Sequence, residues 1–88
     1  MNKPTCKTNE YGTKSWYLNG KFHREDGPAV ERTDGTKRWY LNGKYHCEDG
    51  PAIDWADGTK EWYLNGDVLS EEEFNAIRLM KKMKDVFA

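Results

Sequence analysis

The string Gly-Thr-Lys-x-Trp-Tyr-Leu-Asn-Gly occurs three times, over residues 12–20, 35–43 and 58–66, at a constant spacing of 23 residues. A repeat of that length is one supersecondary unit. It cannot bury its own apolar face, so neighbouring units must stack to make a core. The first two copies run on in parallel, Lys21-Phe22-His23-Arg24-Glu25-Asp26-Gly27-Pro28-Ala29-Val30 against Lys44-Tyr45-His46-Cys47-Glu48-Asp49-Gly50-Pro51-Ala52-Ile53, and the third breaks off after Gly66. Residues 5–11 read as the degenerate tail of a preceding unit.

Each unit carries β signals. Asn19-Gly20, Asn42-Gly43 and Asn65-Gly66 favour the positive φ angles of tight hairpins, and β-forming residues flank them. Asp34-Gly35 and Asp57-Gly58 supply the turns between units. Asp26-Gly27-Pro28 and Asp49-Gly50-Pro51 interrupt the longer segment, where proline removes a ladder donor. Two strands per unit, with a bulge or kink at Asp-Gly-Pro, keep successive units pointing the same way. Three strands would invert every other unit and place identical residues in unlike surroundings. The expected fold is mainly β, an antiparallel meander sheet over residues 1–69. Side chains alternate along 13–18, so Lys14, Trp16 and Leu18 share one face while Thr13, Ser15 and Tyr17 share the other.

Residues 70–88 change period. Ser70-Glu71-Glu72-Glu73 reads as a capping box, and Phe74, Ile77, Met80, Met83 and Phe87 recur at three- and four-residue steps. One amphipathic helix of about 17 residues would span roughly 25 Å, enough to cross several strands. The expectation is a single domain in which this helix packs on the Trp-Leu face of the sheet. The predicted core is then Trp16, Trp39, Trp62, Leu18, Leu41 and Leu64 with Phe74, Ile77 and Met80. Aromatic residues make up 14% of the chain, and they must do most of the packing in so polar a sequence.

The Asn-Gly-Lys turns (Asn19-Gly20-Lys21 and Asn42-Gly43-Lys44), the aromatic residues before them and the Asp-Gly closing each unit resemble the MORN-type repeat family. In that family, 23-residue β-hairpin units stack into a long sheet. The chain is more similar still to small, often phage-encoded proteins carrying a WYLNGKxHxEDGPA form of the repeat, ending in a helix that begins near Glu-Glu-Glu-Phe. The resemblance covers residues 12–66 and the Glu71–Phe74 stretch. It implies a phage-type accessory protein that acts in the host cytoplasm by binding and inhibiting a bacterial host protein, for example a defence nuclease complex.

The residues themselves offer several candidate sites. The Tyr17, Tyr40 and Tyr63 row lies opposite the tryptophans, and with neighbouring Thr and charged groups it resembles a protein-contact surface. The bland alternative is cross-strand packing. Trp55 has no counterpart in the other units, where Arg32 and Asn9 stand, so it is either local packing or a contact residue. His23 and His46 repeat with the unit beside acidic residues. They are counted with the contact residues, although a hydrogen bond across the turn is the structural alternative. A metal set of His46, Cys47 and Asp49 is imaginable, but Arg24 replaces Cys47 in the first unit and zinc sites show tighter, paired spacing. No metal or cofactor is expected.

Nothing reads as catalysis: there is no nucleophile elbow, P-loop or His-Glu-x-x-His, and identical turns at a fixed period are scaffold. A formal net charge of −1 argues against direct nucleic-acid binding. The absence of a long apolar run argues against a membrane span. Cys6 and Cys47 read as reduced thiols of a cytoplasmic protein. The reading is a non-enzymatic protein-binding module. The alternatives are a self-assembling scaffold, for instance a homodimer through strand edges and the Met-rich helix, or a metal-binding enzyme.

Overall fold

The computed structural model describes residues 3–87, and side chains through Met83. Ten short strands are followed by one helix: β1 (Thr5–Thr8), β2 (Lys14–Leu18), β3 (Lys21–Phe22), β4 (Val30–Glu31), β5 (Lys37–Arg38), β6 (Tyr40–Leu41), β7 (Lys44–Tyr45), β8 (Ile53–Asp54), β9 (Lys60–Leu64), β10 (Asp67–Leu69) and α1 (Glu71–Phe87). All pairings are antiparallel, in the order β1-β2-β4-β5-β8-β9-β10, with β3 on β2 and a separate β6-β7 pair.

The register explains why the strands are short. Tyr17 pairs with Phe22, yet Ser15 pairs with Val30, six residues further than an unbroken ladder would reach. β3 and β4 are therefore one strand interrupted by an excursion at Asp-Gly-Pro. Trp16 marks the break: its N–H donates to the Ala29 carbonyl (2.8 Å) and its carbonyl accepts from His23 (3.0 Å). Trp39 repeats this with Ala52 (2.7 Å) and His46 (3.0 Å). Each unit thus has two strands with a large bulge, as parity requires. Backbone bonds from Arg24 to Tyr40, Gly43 to Phe22, Cys47 to Tyr63 and Gly66 to Tyr45 join the hairpin ends into one continuous surface. β1 completes the array, since Lys7 pairs with Ser15 as Val30 pairs with Arg38 one period later.

Turn chemistry fixes the hairpins. Asn42 and Gly43 have φ of 52° and 80°, the two positive values of a type I′ turn, and the Asn19 and Asn65 turns match. Between units, Asp34 Oδ1 accepts from Thr36 N and Asp57 Oδ1 from Thr59 N, both at 2.9 Å. Both carboxyls are held below their usual range, first by that backbone bond.

The core differs from the expected one. Trp16, Trp39, Trp62, Leu18, Leu41 and Leu64 are only half-buried. Among the described residues, the buried side chains are Ala29, Val30, Cys47, Ala52, Ile53, Phe74, His23 and Thr36. Short side chains next to the backbone are sealed when an excursion folds back over them, whereas a large indole on a single sheet keeps an exposed edge. In the first unit, Arg24 lies 3.9 Å above the Trp16 ring and is tied to Asp26 (3.1 Å), the Pro28 carbonyl (3.1 Å) and Glu31 (2.8 Å). A Cβ at Gly27 would stand 2.8 Å from the Arg24 guanidinium carbon, so a side chain there would displace the end of Arg24.

The third unit has no excursion, and α1 begins in its place. Phe74 stands one period after Pro51 and two after Pro28. It is 1% exposed, and α1 packs against β9 and β10 alone among its principal contacts. The capping box forms: Glu73 N donates to Ser70 Oγ (3.0 Å) and Ser70 N to Glu73 Oε1 (2.9 Å). Two expected core positions are corrected. Ile77 is 41% exposed and only borders the sheet, and Met80, at 69%, faces away from it. The principal contacts of α1 are with the last hairpin, with Lys81 reaching Glu48 of the second excursion, and the Arg24 guanidinium lies over Trp16 instead. The side chain of Phe87, at the end of the expected stripe, lies outside those described.

Candidate interaction surface

The two faces of the sheet end up unlike. Arg24 above Trp16 places the first excursion on the Trp-Leu face. α1 lies on that face as well: Phe74, Ile77, Arg78 and Lys81 meet His46, Glu48, Leu64 and Asn65 across a cleft of about 200 Å³. Lys81 Nζ donates to Glu48 Oε1 at the cleft rim. Glu48 is held below its usual range by Lys81 and then by His46. Among the described residues, no element lies over the opposite, tyrosine face.

On that open face, five rings form one ladder. Tyr17 stacks on Phe22 (centroids 4.9 Å apart), Phe22 meets Tyr40 (5.0 Å), Tyr40 stacks on Tyr45 (4.4 Å), and Tyr45 meets Tyr63 (5.0 Å). The steps equal the spacing of adjacent strands, one ring per strand across β2, β3, β6, β7 and β9. All five rings are half-buried: each is flanked by its neighbours and open above. Offset and tilted contacts at these separations are the favoured aromatic geometries. Burial, then the Tyr45 hydroxyl, pushes Tyr40 up to about 12, against the pull of Arg38. Lys7 Nζ sits 5.6 Å from the Tyr17 ring at one end of the row.

The tyrosine row was legible, but Phe22 and Tyr45 were missed as members. The signal was there: across a two-residue Asn-Gly turn, Tyr17 must face Phe22 and Tyr40 must face Tyr45. Below the rings, Val30 and Ile53 lie in register between Ser15, Arg38 and Glu61 and are buried.

Trp55 belongs to a polar corner beside the ladder. Its indole N–H donates to Glu61 Oε2 (2.5 Å), and Arg38 lies 5.1 Å from its ring. Tyr63 hydroxyl donates to Glu61 Oε1 (3.4 Å), and burial followed by the Glu61 charge raises the Tyr63 phenol. Arg32, Asp34, Thr36, Arg38, Trp55 and Asp57 border an open hollow of about 340 Å³ here. Trp55 is thus held by local contacts while bordering this open hollow.

The histidines do not present a contact surface. Asn42 N–H donates to His23 Nδ1 and Asn65 N–H to His46 Nδ1, each at 2.9 Å. Each ring caps the Asn-Gly turn of the following unit. His23 is 7% exposed, which corrects its place among the contact residues, and His46 is half-buried under Asn65 and beside Glu48 (3.5 Å). The reason is positional: each imidazole starts an excursion and faces inward opposite a tryptophan. Among the described residues, no three His, Cys, Asp or Glu side chains converge on a point where a metal would sit. No helix in that range is long and apolar enough to cross a membrane. No family model, curated protein or solved structure matches the chain.

Proposed function

We propose that the protein is a non-enzymatic binding module that holds another protein against its tyrosine face. The carrying observation is the uncovered ladder of Tyr17, Phe22, Tyr40, Tyr45 and Tyr63. Aromatic side chains fixed by their neighbours lose little entropy on binding, and Tyr is enriched in the energetic centres of protein interfaces. Rings already spaced by the sheet need no rearrangement to receive a partner. A ladder with a cation at one end and the Arg38–Trp55–Glu61 corner beside it gives an apolar centre with a polar rim.

The MORN-like character of the repeat, and its likeness to phage-encoded proteins with the same motif, extend the proposal. The partner is a bacterial host protein that this small accessory protein inhibits by occupying its surface, in the cytoplasm. Capture from bacterial lysate, followed by calorimetric titration of the purified partner, tests the reading. Tyr40→Ala, at the centre of the ladder, should weaken binding at least tenfold, equal to about 1.4 kcal/mol, with the far-UV spectrum unchanged. Undiminished binding by Tyr40→Ala and Tyr63→Ala alike would remove the tyrosine face from the interface.

A further inference from the structure

Asn-Gly is a reactive dipeptide as well as a turn, because a glycine amide reaches the preceding side-chain amide with no Cβ in its way. The chain carries it at Asn19-Gly20, Asn42-Gly43 and Asn65-Gly66, all exposed. Local causes cannot separate the first two. Trp-Tyr-Leu-Asn-Gly-Lys stands at both 16–21 and 39–44, and the φ angles are 54° and 77° in the first turn against 52° and 80° in the second. Their surroundings differ. Gly43 N–H donates to the Phe22 carbonyl and Asn42 N–H to His23 Nδ1, each at 2.9 Å and each in the preceding unit, and a Cβ at Gly43 would stand 3.5 Å from the Lys21 stem. The third turn repeats all three contacts, with the Tyr45 carbonyl on Gly66 N–H (2.8 Å), His46 Nδ1 on Asn65 N–H (2.9 Å) and the Lys44 stem beside Gly66. Among the described residues, the first turn has none of them. β1 pairs with β2 only as far as Thr5 opposite Tyr17, short of the turn, and a Cβ at Gly20 would meet nothing within 4 Å.

We propose that Asn19 is a site of spontaneous modification, converted to aspartate and isoaspartate well before Asn42 or Asn65. Base removes the Gly20 N–H proton, and the nitrogen attacks Asn19 Cγ. The Cγ–Nδ2 bond breaks, ammonia leaves and a cyclic imide remains. Water then opens the imide at either carbonyl: at the side-chain carbonyl it gives aspartate, and at the main-chain carbonyl it gives isoaspartate. Nothing is oxidised or reduced, and the net change is water taken up and ammonia released. The later turns resist because the attacking N–H is already engaged by a carbonyl and the asparagine is pinned by an imidazole. One such bond slows opening about fivefold, and two give Asn19 a lead of about tenfold or more. The product adds a negative charge at the tip of the β2–β3 hairpin. Isoaspartate also lengthens the main chain of that tight turn, next to the Tyr17–Phe22 pair that begins the ladder.

Incubating the intact native chain in mildly alkaline buffer, then digesting it with trypsin for mass spectrometry, reads each site by its amide-to-acid mass increase. Lys14 and Lys21 bound the peptide of the first site, Arg38 and Lys44 that of the second, and Lys60 and Arg78 that of the third. Asn19 should convert about tenfold or more faster than Asn42. The same incubation in concentrated urea should bring Asn19 and Asn42 to one rate, since their sequence neighbours are identical. Matching rates in the folded chain, a faster Asn42, an Asn19 that survives while the urea-treated chain converts, or a lead that persists undiminished in urea overturns the proposal. Amide hydrogen exchange followed by NMR checks the cause. The Gly20 N–H should exchange ahead of the Gly43 and Gly66 N–H groups, and a Gly20 amide as slow as theirs would remove the basis for the lead.

Discussion

Replacing Phe74 by alanine should release α1 from the sheet. Phe74 is the largest fully buried side chain, 1% exposed, and the only helix residue sealed against the last hairpin among those described. Truncating a buried Phe costs about 3–5 kcal/mol, lost transfer energy and residual cavity together. A domain of 88 residues has roughly 4–13 kcal/mol in total. The change therefore removes a large share of the stability, and with a urea slope near 1 kcal/mol per molar it lowers the midpoint by about 3–5 M. Tryptophan fluorescence, dominated by Trp16, Trp39, Trp55 and Trp62, and the far-UV helical signal follow the transition in dilute solution. The same helix supplies its own controls. Ile77→Ala, at 41% exposure, should cost less than about 1.5 kcal/mol, and Met80→Ala, at 69%, should cost close to nothing. The reasoning fails if Met80→Ala is as damaging as Phe74→Ala, because the helix would then sit on the sheet by its other side.

His23→Phe keeps a ring of similar shape but strands the Asn42 N–H that its Nδ1 accepts, so it should cost about 1–3 kcal/mol in urea melts. His23→Ala with no greater effect than an exposed substitution would refute the turn-capping role. Acid should undo α1 through two carboxyls. Glu73 is held below its usual 4.5 by Ser70, and Glu48 by Lys81 and then His46. A carboxyl whose folded value is depressed adds stability that is in place above the unfolded value and is lost as pH falls through the folded one. The helical signal should therefore weaken as pH drops below 4.5, and Lys81→Met should flatten that dependence by removing the larger influence on Glu48. A helical signal that is flat through this range, or unchanged in its pH dependence by Lys81→Met, would contradict the assignment.

The legible parts of this fold are those decided within a few residues. Asn-Gly pairs gave the type I′ hairpins, and Asp-Gly gave the inter-unit turns. Ser70 and Glu73 gave the helix start, and parity gave two strands per unit with a bulge at Asp-Gly-Pro. What could not be read locally depended on where the excursions fold. Burial of Ala29, Ala52 and Cys47 follows from a loop closing back on the sheet, which no periodicity announces. The same closure turns His23 inward to the next unit's turn, nineteen residues away. At the candidate surface, the three tyrosines were visible because they repeat. Phe22 and Tyr45 were not, because they differ from one another and join the row only through register across the turn. The helix was expected to lie along the Trp-Leu face, but its principal contacts are with the last hairpin.

The first and last tryptophans of the repeat thus have different covers: the Arg24 guanidinium over Trp16, and α1 at the Trp62 hairpin. The Arg24 side chain bonds within its own unit, to Asp26, the Pro28 carbonyl and Glu31, while Phe74 borders Leu64, Asn65 and Ile77 at the other end. In a stacked array, each unit feels chiefly its neighbours. Arg24→Ala removes a stacked cation and its hydrogen bonds and should cost about 1–3 kcal/mol. Combined with Phe74→Ala, the losses should add to within about 0.5 kcal/mol, because the two sites share no partner. Hydrogen exchange should place the first loss at β2–β4 and the second at β9–β10. A coupling above about 1 kcal/mol, or loss of protection across the whole sheet from either change alone, would mean that the array melts as one body and that the covers are not independent.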